Sequence, residues 1–212
     1  MIHVKNVSKS YGEIKVFDNF SGNVEKNEFI CITGKSGSGK TTLLNMIGFL
    51  EHPDQGEIEI NGLKGINKKE KMHIRRKTIG YVFQNYALIE DDTVEKNLQI
   101  SSMYSPDFNK EKANQTLERV GLSKSILRKQ VYQLSGGEKQ RVALARVMLK
   151  PFDVLLADEP TGNLDDENKN AVIDILLSLK EEGKTIVCVT HDHDLANVAD
   201  RIINIDELIY SI

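Results

Sequence analysis

The chain has no tryptophan, two cysteines, four prolines and no long apolar run. Each scarcity excludes something. Cys31 and Cys188 cannot build a disulfide framework, and each lies in a short apolar run as a small buried hydrophobe. No apolar stretch approaches the roughly 18 residues of a membrane span. The opening MIHVKNVSKS lacks the apolar core of a secretory leader, so a membrane role is expected to come through a partner. Aromatic residues make up 6% of the chain, which disfavours a base-stacking platform. The net charge of −3, from 28 basic and 31 acidic residues, argues against a nucleic-acid partner held by a global positive field.

What is present is the make-up of a folded globule. With 40% hydrophobic and 28% charged residues the chain is too apolar to be disordered. Its 212 residues suit one large domain, or one core with an inserted subdomain. Short apolar runs at 2–7, 13–18 and 28–33 predict strands separated by turns such as Tyr11-Gly12. EIEING predicts a further strand ending at Gly62. Residues 92–149 read as helical, with Asp92 and Glu95 spaced as a capping box. Val154 to Ala157 has the length of a buried parallel strand. A helix over 167–182, the strand TIVCVT, a short helix over 194–200 and the strand RIINID follow. Strands and helices alternate at both ends around a helical middle, which predicts an α/β core with a helical insertion.

Residues 34–41 read Gly34-Lys35-Ser36-Gly37-Ser38-Gly39-Lys40-Thr41, the pattern G-x-x-x-x-G-K-[ST], after the strand FICIT and before a helix. Glycines let the backbone N–H groups turn inward. Those donors and the helix N-terminus suit the phosphates of a nucleotide. Lys40 is placed to reach the β- and γ-phosphates, and the Thr41 hydroxyl to ligate Mg²⁺. Asp158-Glu159 ends the apolar strand Val154–Ala157, at the sheet edge where ligands bind. Asp158 is the candidate for holding the metal and Glu159 the candidate general base. Leu134-Ser135-Gly136-Gly137-Glu138 opens another helix. Ser135 and Glu138 alone make a capping box, but two adjacent glycines are more than a cap needs and expose N–H groups at a second positive helix end.

LSGGEKQR, upstream of VLLADE, resembles the signature motif of ATP-binding-cassette ATPases, and the match runs through essentially the whole chain. The resemblance implies a P-loop NTPase core with a parallel sheet, an N-terminal antiparallel β subdomain and an inserted α-helical subdomain. One ATPase domain over 1–212 is expected, with the nucleotide-binding core at about 1–90 and 149–212 and the signature subdomain at about 91–148. It implies ATP and Mg²⁺ as ligands. It also implies a head-to-tail partner, a second copy or a paralogue, that contributes its Ser135–Gly137 loop to the ATP site. Tyr11 matches the aromatic that stacks on adenine. Gln84, in YVFQNYAL, matches the glutamine that touches Mg²⁺ or the lytic water. Asp165, in GNLD, matches the aspartate at the dimer seam, and His191, in VTHD, the histidine that bonds the γ-phosphate. Thr42 completes the Thr41-Thr42 pair that stands for the usual Ser-Thr.

IGFLEHPDQGEIEING, YVFQNYALIEDDTVEKNL and DEPTGNLD together resemble the lipoprotein-release, macrolide and antimicrobial-peptide export branch. That implies a peripheral ATPase on the cytoplasmic face of the plasma membrane, driving a separate permease, with bacteriocin or peptide export favoured. A groove near Gln84 to Asn97, with Phe83, Tyr86 and Leu88 as apolar contacts, is expected to meet the permease. The alternative is a non-transport cassette of DNA-repair or translation type. The first splits its head with a long coiled coil, and the roughly 50 residues between Gln84 and Leu134 show no heptad run. The second usually carries two cassettes per chain. The seven basic residues among the fourteen of Lys64–Lys77 read as a solvated surface, or as one facing anionic headgroups. The closing NIDELIYSI departs from the family, and nothing functional is expected there.

Overall fold

A computed structural model of the chain describes residues 1–209. Three strands, β1 (Ile2–Tyr11), β2 (Ile14–Val24) and β4 (Gln55–Ile60), form an antiparallel sheet in the order β2-β1-β4. Five others form a parallel sheet in the order β5-β6-β7-β3-β8: β3 (Phe29–Thr33), β5 (Ile79–Val82), β6 (Val154–Asp158), β7 (Thr185–Val189) and β8 (Arg201–Asn204). The α/β class with one antiparallel and one parallel sheet is therefore as expected.

The parallel strands FICIT, VLLAD and TIVCV are almost wholly buried, because both faces of the sheet are covered. Side chains alternate between two cores. Ile30, Ile32, Leu156 and Val187 join α1 (Lys40–Ile47) and the antiparallel sheet on one face. Phe29, Cys31, Leu155 and Cys188 join most of the other helices on the opposite face. Both cysteines are fully buried free thiols, as their apolar surroundings predict.

The second face is covered by α3 (Val94–Gln99), α4 (Lys110–Arg119), α5 (Gly136–Met148) and α6 (Asp166–Glu181), with 3-10 turns between them. The helical residues from 92 to 149 are thus a series of short helices, with breaks at Pro106 and Gly121. The cap of α3 is Thr93, whose side chain accepts from the Lys96 N–H, not Asp92. Asp92 instead pairs with the Lys96 ammonium at 2.8 Å. A helix absent from the sequence reading, α2 (Lys68–Lys77), occupies the basic stretch. It buries only Ile74, so it has no apolar stripe to betray it. The short α7 (His193–Asn197) precedes β8, and α8 (Ile205–Ile209) follows it.

The carboxyl ends of all five parallel strands open on one edge. The loop 34–39 follows β3, Gln84 follows β5, Glu159 follows β6, His191 follows β7 and Asp206 follows β8. Parallel register pairs Asp158 with Val189 and Cys31 with Cys188, which brings these loops level.

Candidate functional site

The loop between β3 and α1 is built by glycines in backbone regions that other residues enter at a cost. Gly37 and Gly39 have φ of 79° and 93°. A Cβ at Gly39 would fall 2.4 Å from Val16 Cγ1, so the β2 side chain presses on the loop. Gly39 caps α1 with no side-chain acceptor, which leaves the first helical N–H groups for an anion. Lys40 is buried, and its ammonium donates to the carbonyls of Gly34 at 2.8 Å and Lys35 at 2.7 Å. The Ser38 hydroxyl is buried without a partner.

The Lys35 N–H donates to Asp206 Oδ2 at 2.8 Å, and the Asp206 N–H donates to Asn204 Oδ1. Within NIDELIYSI, Asp206 thus makes a structural contact with the first turn of the glycine loop. Residues 210–212 of that segment lie outside the described residues.

The Thr41 hydroxyl donates to Asp158 Oδ1 at 3.1 Å. Burial raises the Asp158 carboxyl above its usual range, against the pull of Thr41 and Lys40. Glu159 has a positive φ of 48°, a costly conformation for a side-chain-bearing residue that is commonest at functional sites. Its carboxylate accepts from the His191 N–H at 3.2 Å and lies 3.4 Å from His191 Nε2. Burial raises the Glu159 carboxyl, and His191 opposes the shift.

Lys40, Thr41, Glu159 and His191 line a cleft of about 660 Å³, which Asp158 does not itself line; the volume is within the range of small-molecule sites. Ser36, Gly37, Gly39, Lys40, Thr41 and Thr42 form one wall, with Gln84, Glu159 and His191 facing them. Tyr11 stands at the mouth; its hydroxyl donates to a Glu51 carboxylate oxygen, and Lys9 lies 5.3 Å from its ring centroid. Gly34, Lys35 and Ser38 shape the loop without lining the cleft. Ile14, Val16 and Val189 line it without having been singled out from sequence. Nothing local marks Ile14 and Val16, which read as ordinary strand residues.

The second glycine segment lies elsewhere in the chain's own fold. Ser135 and Glu138 form a complete capping box on α5: the Ser135 N–H donates to Glu138 Oε2 at 2.8 Å, and the Glu138 N–H to Ser135 Oγ at 3.2 Å. Gly136 is exposed, but Gly137 is buried against Asn168. Packing thus accounts for one of the two glycines. Asp165 caps α6. Ser135, Gly136, Gly137, Glu138 and Asp165 do not reach the cleft of the same chain.

Farther along α5, Arg146 donates to the carbonyls of Tyr86 and Ala87 at 3.0 and 2.6 Å, both in positive-φ conformations. It also borders an apolar groove of about 220 Å³ lined by Leu50, Tyr81, Phe83 and Tyr104. Of the three apolar contacts expected near Gln84, only Phe83 lines this groove. Leu88 packs against the core, and the Tyr86 hydroxyl approaches Gly136.

A glycine loop after an interior parallel strand, with carboxylates at the end of β6 and β7 lying between the two, defines a nucleoside-triphosphate-binding α/β protein. The ABC transporter family model matches residues 17–162, and the chain belongs to that family of ATP-binding, ATP-hydrolysing cassettes. It is 40% identical over 98% of its length to a Campylobacter jejuni protein named macrolide export ATP-binding/permease protein MacB. It spans about a third of the length of such relatives: 33% of that one. An uncharacterised ABC transporter ATP-binding protein of Methanocaldococcus jannaschii is 39% identical and 95% covered. Among solved structures, the ATP-binding cassette MJ0796, in a dimeric post-hydrolysis state bound to ADP and Pi, superposes with a TM-score of 0.89. It shares 37% identity, with 96% of this chain and 94% of that one covered.

Proposed function

We propose that this chain is the ATPase subunit that powers a separate membrane permease, exporting a peptide, lipoprotein or antibiotic-like cargo, with bacteriocin export the favoured case. The macrolide-export names of relatives support export. The chain then works at the cytoplasmic face of the membrane, and the groove beside Arg146 is where the permease docks. A permease segment seated there would touch the helix that holds the Tyr86-Ala87 turn two residues after Gln84.

The observation that carries the catalytic reading is the convergence of Lys40, Thr41, Glu159 and His191 on one cleft, with Asp158 bonded to Thr41 at its edge. ATP lies with its phosphates on the glycine loop, and Lys40 leaves its two carbonyl partners for the β- and γ-phosphates. Glu159 accepts a proton from the attacking water, and His191 steadies both Glu159 and the γ-phosphate. Tyr11 covers the adenine. The Thr41 hydroxyl, the Asp158 carboxylate and the Gln84 amide oxygen are hard oxygen donors of the kind Mg²⁺ takes. When bound, the ion offsets charge developing on the phosphate oxygens.

Ser135, Gly136, Gly137 and Glu138 are remote from the chain's own cleft, so they serve a partner's ATP. The unit is a head-to-tail sandwich of two cassettes, supported by the dimeric state of MJ0796. A complementation experiment tests it. Ser135→Arg mixed with Lys40→Ala should form one competent site and recover ATPase activity that neither variant shows alone. A mixture as inactive as its components would refute the head-to-tail arrangement.

A further inference from the structure

Asn168 joins two segments that the sequence reading treated separately. Its side-chain oxygen accepts from Arg141 Nη1 at 2.5 Å, and Arg141 lies on α5, one turn below Glu138. Its amide nitrogen donates to both carboxylate oxygens of Asp165 at 2.8 Å. The Asn168 backbone N–H adds a third bond to Asp165 Oδ1 at 2.8 Å. The contact with α5 is close: a Cβ at Gly137 would stand 2.1 Å from Asn168 Oδ1. Arg141 Nε is buried without a partner; the guanidinium's hydrogen bond to this segment is the one to Asn168, and its charge, after the Asn168 bonds, also acts across space to lower the Asp165 carboxyl.

The chemistry of the amide matters. Asparagine offers an acceptor at one end and donors at the other, so it can receive from a cation and give to a carboxylate at once. Neither Asp nor Leu can do both. Arg141 and Asp165, which carry opposite charges, are thus bridged by a neutral group rather than paired directly.

We propose that Arg141 and Asn168 are positioning residues that make the orientation of the Asp165 carboxylate depend on the placement of α5. This rests on the sandwich reading, in which Ser135–Gly137 and Asp165 both face the partner subunit. A shift of α5 when its N-terminal loop meets the partner's ATP pulls on Asn168 and turns Asp165. One cassette thereby registers at its dimer seam whether its signature loop is engaged. Neither residue touches nucleotide.

The test is Asn168→Asp in the otherwise intact chain, with Asn168→Ala beside it. Aspartate keeps the size of Asn168 and the acceptor for Arg141, but replaces the donor to Asp165 with a like charge. It also sits in the first turn of α6, where a negative charge favours the helix. A packing role predicts wild-type turnover for Asn168→Asp. The relay predicts a kcat at least 10-fold lower, with unchanged ATP affinity of the monomer and an unchanged melting temperature. Combining Asn168→Ala with Asp165→Ala should cost no more turnover than Asp165→Ala alone, because the relay has no other target. Wild-type kcat in Asn168→Asp, or multiplying losses in the double variant, overturns the proposal. ATP-driven dimerisation of Glu159→Gln is measured in parallel. A dimer there with wild-type turnover in Asn168→Asp removes the relay alone, whereas no dimer removes the sandwich and the relay together.

Discussion

Glu159 and His191 meet from the ends of two adjacent parallel strands, Nε2 to Oε1 at 3.4 Å, with the His191 N–H also on the carboxylate. The positive φ of Glu159 turns its side chain toward β7 and away from the path of β6. General base catalysis contributes about 10²–10⁴-fold. Glu159→Gln keeps the size and the backbone bond while removing the base, so kcat should fall at least about 100-fold. ATP binding should remain, measured by fluorescence of a labelled nucleotide. Turnover near the wild-type rate would remove Glu159 from the role of base.

The glycine loop gives a stability prediction independent of nucleotide. At Gly39, φ is 93° and the space for a Cβ is already filled by Val16, with Phe17 ring atoms 3.1 and 3.2 Å away. Gly39→Ala adds left-handed backbone strain of about 1–2 kcal/mol and a methyl overlap on top. In a domain of this size each kcal/mol lowers Tm by about 2–4 °C. Nucleotide-free Gly39→Ala should therefore melt several degrees below wild type. Gly37→Ala, with no atom within 4 Å of its Cβ, should carry the backbone term only and melt between the two. Equal melting temperatures for the two variants would refute the Val16 contact.

How much of this was legible in the residues follows from how local each signal is. The glycine loop is a continuous octapeptide whose spacing is itself the geometry, so its place after β3 and before α1 could be read directly. Buried parallel strands announce themselves as unbroken apolar runs, as in VLLAD. The α2 helix could not be read this way, because nine of its ten side chains stay out of the core. Asp206 was invisible for another reason: its partner, Lys35, is 171 residues away, and an Asp after a strand has no distinctive pattern. Ser135 and Glu138 were legible as a cap from their spacing alone, whereas only the resemblance of LSGGEKQR to the signature motif implied that the loop serves a partner rather than its own cleft. Asn168 reads as a plain third residue of a helix; only the packing of α5 on α6 reveals its two-sided bonding.

Lys150 offers a pH test of the groove beside Arg146. It follows α5, and its ammonium donates to the carbonyl of Arg75 at 2.9 Å and to that of Ile79. Burial lowers its pKa to about 8 from the ordinary 10.5, because charge is disfavoured away from water. Between those two values the unfolded chain holds a proton that the folded chain has released. Unfolding free energy therefore rises with pH across that window, and below about pH 8 the full desolvation cost is present. Lys150→Met has no titration there, while the lysines whose pKa values are raised, Lys9, Lys64 and Lys169, are common to both proteins and cancel. Urea unfolding at pH 7.5 and 9.5 should show wild type gaining stability relative to Lys150→Met at the higher pH. A difference that does not change with pH would mean that Lys150 keeps its proton in the fold, and that the base of the groove is wetter than its lining implies.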